Sequence, residues 1–77
     1  MADADAALDA SGLACPHPVL RARRALKSLL PGQSLEVIVT DPAAPEDLAA
    51  FARRGGHQLV ASQRDGDRFR LVLRKGG

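Results

Sequence analysis

One cysteine, no tryptophan, no tyrosine and two phenylalanines stand among the 77 residues of this chain. A single thiol excludes an internal disulfide, a thioredoxin-like dithiol and a zinc site built mainly from thiolates. Small secreted domains usually carry several cysteines in bridges, so the composition reads as cytoplasmic. No apolar run approaches the ~20 residues needed to cross a bilayer. The start, Met1 to Ala10, carries Asp3, Asp5 and Asp9 and no base, unlike the basic start of a signal peptide. A soluble chain without membrane contact is expected. With Phe51 and Phe69 as the only aromatics, stacking platforms for single-stranded bases are missing, and direct nucleic-acid binding is disfavoured. No metal or organic cofactor is implied.

What is present is ordinary in amount and uneven in placement. Hydrophobic residues make up 45% and the formal net charge is +2. The first ten residues hold three aspartates and no base, so the remainder carries a net +5, a balance that suits an acidic partner or a phosphate backbone. At this length one domain, 1–77, is the sensible count, with its core at about 6–75 and flexible ends at 1–5 and 76–77. A domain so small buries roughly 60% of the surface its unfolded chain exposes. It has little room for a deep active site, and a reactive group carried on the surface suits it better.

The apolar periodicity predicts six elements. Ala6 to Ala10 is a short strand, ended by Ser11-Gly12. Cys15 to Leu30 is a helix with Val19, Ala22, Leu26, Leu29 and Leu30 on one side and Arg21, Arg24, Lys27 and Ser28 largely on the other. Pro16 and Pro18 fall in its first turn, where backbone donors have no intrahelical acceptor. Pro31-Gly32 stops it. Leu35 to Thr40 alternates as a strand, and Ile38 on its second face marks it as central. A second helix runs from Pro45 to about Arg54, with Leu48, Phe51 and Ala52 as its buried stripe and Glu46 and Asp47 in its first turn to suit the helix dipole. Two last strands, Gln58 to Gln63 and Arg68 to Arg74, are joined by a hairpin turn at Asp65-Gly66. The order β-α-β-α-β-β, with one apolar stripe per helix, predicts an α/β two-layer sandwich: a four-stranded mixed sheet with both helices on one face.

The chemistry is concentrated at Cys15. A residue before proline is held extended, the geometry of a helix N-cap, which places the sulfur at the mouth of the first helix near the backbone donors of His17 and Val19. An anion there is stabilised, so the thiol's pKa would fall and the nucleophilic thiolate would be more populated. The alternative is that a lone cysteine serves as a small buried hydrophobe. The flanking prolines and the position at a helix start favour a reactive thiol.

The run Leu8-Asp9, Gly12-Leu13 and Cys15-Pro16-His17-Pro18-Val19, followed in order by Pro31-Gly32, Thr40-Asp41-Pro42 and Gly56-His57, resembles the TusA-like (SirA-like) sulfur carriers, whose signature is a Cys-Pro-x-Pro box opening a helix. The resemblance spans Leu8 to about Lys75. It implies the same two-layer sandwich, similar to the C-terminal domain of translation initiation factor three. It also implies a sulfurtransferase that acts as a persulfide carrier. Cys15 would take sulfane sulfur from a cysteine desulfurase or a rhodanese-type donor and pass it to a reactive cysteine of an acceptor such as a DsrE-like protein. Members of the family serve tRNA thiolation, molybdenum-cofactor assembly or sulfur oxidation. Pro16 and Pro18 match the residues that shape the site, and His17 fills the variable place of the box.

Arg21, Arg24 and Lys27 on the exposed side of the helix are candidates for steering an acidic partner. Asp41 is expected to hold a turn and cap the second helix, and His57 to lead into a strand. Three other readings stand beside the carrier. The terminal Gly76-Gly77 resembles the end of ubiquitin-like sulfur carriers, although those begin with a β-hairpin. Arg68, Arg70 and Arg74 could make an outer sheet face that binds RNA. A regulatory module of the same fold could bind partners without moving sulfur.

Overall fold

The structure is a computed structural model describing residues 4–77. Six elements follow in the order expected: β1 (Ala6–Ala10), α1 (His17–Lys27), β2 (Ser34–Val39), α2 (Ala44–Arg54), β3 (Gln58–Asp65) and β4 (Arg68–Arg74). The sheet order is β1-β2-β4-β3. β1 pairs parallel with β2, Ala10 lying opposite Val39, and β4 pairs antiparallel with both β2 and β3. This is the mixed sheet with a helical layer that the residue pattern implied. α1 lies on β1 and β2, while α2 lies on β3 and β4.

Burial follows the strand pleat. Leu35, Val37 and Val39 of β2 and Leu71 and Leu73 of β4 point under the helices and are fully buried. They meet Ala22 and Leu26 of α1 and Leu48 and Ala52 of α2 in a single core. The opposite face of β2 is half-buried at Glu36 and Ile38, as a central strand requires. Phe69 packs against the core from the helix side, and the guanidinium of Arg64 lies 5.7 Å from its ring centroid. The outer sheet face is therefore left without an aromatic ring. Arg70 there is engaged by Glu36 in an ion pair. The face considered for RNA thus lacks a stacking platform, and its central arginine is already paired.

Differences from the expected boundaries have local causes. α1 begins at His17 and ends at Lys27, shorter at both ends than the apolar pattern suggested. Pro16 is its N-cap and Pro18 its second residue, and Pro18 is buried. At the other end Ser28 and Leu29 donate to the carbonyls of Ala25 and Leu26, tightening the last turn. Leu30 falls outside this turn and is 68% exposed, so it does not belong to the buried stripe. β3 runs on to Asp65, with Val60 as the extra residue of a bulge between Leu59 and Ala61. A bulged, mostly exposed edge strand is poorly suited to pairing with another sheet. The hairpin loop is Gly66-Asp67, and Gly66 supplies the positive φ of +64° that such a tight turn needs.

Both chain ends are tied down further than expected. The carboxylate of Asp5 accepts from the backbone N–H of Ser34 at 2.8 Å. Residues 1–3 of the segment expected to be flexible lie outside the described residues. At the other end the Lys75 backbone N–H donates to Gln33 and its carbonyl accepts from Gly32. The Gly76 N–H donates to His57 Nδ1 at 3.0 Å. A Cβ on Gly76 would sit 1.8 Å from the carbonyl oxygen of Gly56, so only glycine fits at this approach. His57 is therefore more than a lead into β3: its ring also packs beside Phe51, with centroids 5.5 Å apart.

The core assignment makes a contrast that can be measured. Leu48→Ala should cost about 2–5 kcal/mol in urea unfolding, from lost burial plus the cavity left behind. Leu30→Ala should stay within about 0.5 kcal/mol, as an exposed position does.

Candidate functional site

Parallel pairing of β1 with β2 brings the carboxyl ends of both strands to the same edge of the sheet. The β1–α1 and β2–α2 loops are consequently neighbours. Three hydrogen bonds join them or the elements they lead into. The Gly12 N–H donates to Thr40 Oγ1 at 2.9 Å. The Cys15 N–H donates to Asp41 Oδ2 at 2.9 Å. The Cys15 thiol donates to Asp47 Oδ2 at 2.7 Å. Three of the sequence features noted above, Gly12-Leu13, Cys15-Pro16 and Thr40-Asp41-Pro42, are thereby gathered at one place.

Asp41 grips both sides of this junction. One carboxylate oxygen holds Cys15, and the other accepts from the Ala43 N–H at 3.1 Å, just before α2. The bonds from Ala43 and Cys15 hold its carboxyl below the usual carboxylate range. Its pKa being lower folded than unfolded, Asp41 favours the fold above the ordinary carboxylate pKa. That contribution is lost as the pH falls through the folded value. The turn-holding role expected of Asp41 is present, but its expected capping of the second helix is not, because the N-cap of α2 is Ala43 and no side chain caps it. Its grip on Cys15 is a role the sequence did not reveal.

Cys15 is exposed. Its Cys15–Pro16 peptide bond is cis. The sulfur does not use the amide donors at the start of α1. That helix begins two residues later, and the His17 N–H donates to the Ala14 carbonyl at 2.9 Å. The thiol is turned toward α2, where the hydrogen bond to Asp47 pushes its pKa up, with desolvation and the negative charges of Asp47 and Asp41 adding to the effect. This reverses the expected downward shift. A carboxylate at hydrogen-bond distance stabilises the protonated thiol more directly than the helix end stabilises the anion.

The thiol opens into a surface groove between the helices. Pro16, Val19 and Leu20 of the α1 side and Ala50 and Phe51 of α2 give it apolar walls. Arg23 and Arg54 line the same groove, one from each helix, together with Asp47. Of the proposed docking residues, Arg21 and Arg24 line a different depression, with His17, Leu8 and Leu20. Lys27 sits at the far end of α1, about three turns away. Arg23 was legible as a groove residue, since it follows Pro16 by seven positions and Val19 by four, the helical repeat of one face. Asp47 gave no comparable signal, because its contact spans 32 residues. Among the described residues no group of three or more His, Cys, Asp or Glu could hold a metal ion. Among the same residues no helix is long and apolar enough to cross a membrane.

Fold and site define a small two-layer α/β domain with one exposed thiol at the carboxyl edge of its parallel strand pair. The family model described as Sulfurtransferase TusA matches residues 6–75. The chain is 47% identical over 75 residues to a protein of Allochromatium vinosum named sulfur carrier protein TusA, across 97% of this chain and 99% of that one. The crystal structure of a SirA-like protein from Desulfitobacterium hafniense superimposes with a TM-score of 0.82 at 28% identity, covering 94% of this chain and 99% of the other. This chain belongs to the TusA sulfurtransferase family.

The local electrostatics predict how the thiol titrates. The pH at which iodoacetamide alkylation of Cys15 reaches half its maximal rate should lie above that of the same chain unfolded in urea. Equal midpoints would mean that the carboxylates do not act on the sulfur in solution.

Proposed function

We propose that this chain is a sulfur carrier that holds sulfane sulfur as a persulfide on Cys15 and delivers it to another protein. The observation that carries the proposal is the exposed Cys15 thiol at the head of an open groove in a chain with no second cysteine. In loading, Cys15 Sγ attacks the outer sulfur of a donor persulfide. A new S–S bond forms, the donor's S–S bond breaks, and the donor cysteine leaves with the electron pair and takes a proton. In delivery an acceptor thiolate attacks the outer sulfur now on Cys15, and Cys15 leaves. Sulfur moves in both steps without net oxidation or reduction. Lacking a resolving thiol, the carrier cannot discharge itself as an internal disulfide. The persulfide therefore persists until an acceptor thiol arrives.

A donor of the cysteine desulfurase or rhodanese type and an acceptor with a reactive cysteine, such as a DsrE-like protein, fit this chemistry. It would serve a relay such as tRNA thiolation, molybdenum-cofactor assembly or sulfur oxidation. The groove favours partners that bring an apolar side chain and acidic groups, since apolar walls are flanked by Arg23 and Arg54. The tethered Gly76 argues against a terminal thiocarboxylate, because a Gly-Gly tail used in that way must reach into an activating enzyme.

Incubation with a cysteine desulfurase and cysteine should add the mass of one sulfur atom, removable by a reducing agent and mapped to Cys15. Cys15→Ser should gain nothing while keeping its fold by circular dichroism. Sulfur found at the C-terminus instead would refute the proposal. Reversing Arg23 and Arg54 to Glu should slow transfer between proteins at low salt by about tenfold, as loss of electrostatic steering does. Reversing Arg21 and Arg24, which line the other depression, should slow it less.

A further inference from the structure

Among the described residues Asp47 is the side chain hydrogen-bonded to the sulfur atom, a contact that its place in the helix does not by itself require. It sits in the first turn of α2, where an acid serves the helix dipole, but the neighbouring Glu46 is already there for that purpose. Asp47 instead has Oδ2 on Cys15 Sγ at 2.7 Å. The charged groups that share its surroundings are Arg23 from α1, Arg54 from its own helix and Asp41 from the preceding loop. Arg23 and Arg54 line the same groove wall, and a carboxylate oxygen at this distance is an acceptor for the thiol's hydrogen.

We propose that Asp47 is a catalytic proton carrier for sulfur loading: it takes the proton from Cys15 as the thiol attacks and gives it to the donor sulfur that leaves. This rests on the persulfide reading of Cys15. The proton balance is complete within the site. Before attack the pair is thiol and carboxylate. As Cys15 Sγ bonds to the outer sulfur, its hydrogen passes along the existing hydrogen bond to Asp47 Oδ2. The donor's cysteine is expelled as a thiolate, takes that hydrogen and leaves as a neutral thiol, and Asp47 returns to carboxylate.

The product differs from the reactant in one decisive way. Cys15 Sγ, now bonded to sulfur, carries no hydrogen, so its bond to Asp47 is lost. The outer sulfur, about 2.05 Å farther out, loses its own proton to solvent and is then repelled as an anion by the same carboxylate. Asp47 thus retains the empty carrier as a quiet thiol and turns the loaded sulfur toward solvent and an incoming partner. A residue with a purely structural role would do neither.

The discriminating experiment compares two reactions of the same sulfur in wild type and Asp47→Asn, with folding checked by circular dichroism. One is alkylation by iodoacetamide, whose iodide leaves without a proton. The other is loading from glutathione persulfide, whose thiolate leaving group is helped by one. At pH 7, Asp47→Asn should alkylate severalfold faster, because the anion that suppressed the thiolate is gone. It should load at least about a hundredfold more slowly, the lower part of what a positioned acid–base group contributes. Asp47→Glu, which keeps a carboxylate, should recover part of the loading rate. Should the asparagine variant fail to fold, Asp47→Ser carries the same comparison. If both rates rise together, Asp47 merely restrains the thiol and the proposal is wrong. If neither changes, the contact is irrelevant. Wild type that alkylates at Cys15 yet never accepts sulfur would overturn the carrier reading and this one with it.

Discussion

The parallel pairing of β1 with β2 is the constraint on which the site depends. Strands that run the same way present their carboxyl ends at one edge, where open α/β sheets commonly place their ligands. Here Ala10 and Val39 are register partners, so the residues that follow each of them emerge side by side. Everything that matters chemically is attached to those two exits. Thr40 and Asp41 leave β2 and meet Gly12 and Cys15 leaving β1. Had the two strands been antiparallel, the β1–α1 loop would have faced the start of β2, and Cys15 would have had neither Asp41 nor Asp47 within reach. The hydrophobic faces of β2 and β4 fix this register, because a shift of one residue would turn Leu35, Val37 and Val39 out of the core.

The same geometry sets the electrostatics, and two influences on the thiol compete. The start of α1 offers a partial positive charge, and α2 offers a full negative one. The first acts at a distance and its nearest amide is already spent on Ala14. The second acts through a direct hydrogen bond, so it prevails. The outcome is a protonated resting sulfur, less prone to oxidation and alkylation than a thiolate would be. For a protein with a single cysteine and no resolving partner this is an advantage, since an exposed thiolate would be lost to irreversible oxidation. Reactivity then depends on whether the proton has somewhere to go when the right reactant arrives.

Local pattern and long-range contact were not equally readable from the chain. β1 and β4 have the residue bounds that alternation and turn chemistry implied, and β2 and α2 differ by a residue. α1 was overestimated because Leu29 and Leu30 continue its apolar spacing, yet the Ser28 and Leu29 amides turn back to Ala25 and Leu26 and end it. The position of Cys15 beside a helix start was legible from the prolines. The direction in which its side chain points was not, since that depends on an acid 32 residues away. A first-turn aspartate in α2 has a sufficient explanation in the helix dipole, and nothing in one sequence distinguishes an acid placed for that reason from one aimed at a sulfur. The basic residues show a milder form of the same limit. Arg21, Arg24 and Lys27 were chosen for lying opposite the buried stripe, whereas the groove lies along its border, where Arg23 stands.

Size explains why the site takes this form. The protein's extents are 31 × 28 × 17 Å, and its thinnest dimension holds only a sheet and a layer of helices. No interior remains in which a substrate could be enclosed and stripped of water. On the proposed persulfide reading, exclusion of water around the sulfur would be supplied by a partner docked over the groove. Covering the thiol with a second protein would lower the local dielectric and strengthen each charge interaction there. The carboxylate–thiol contact, modest when exposed to water, would gain influence in the complex where sulfur is exchanged. On that reading the carrier would be least reactive when alone and would acquire its full chemistry only when docked.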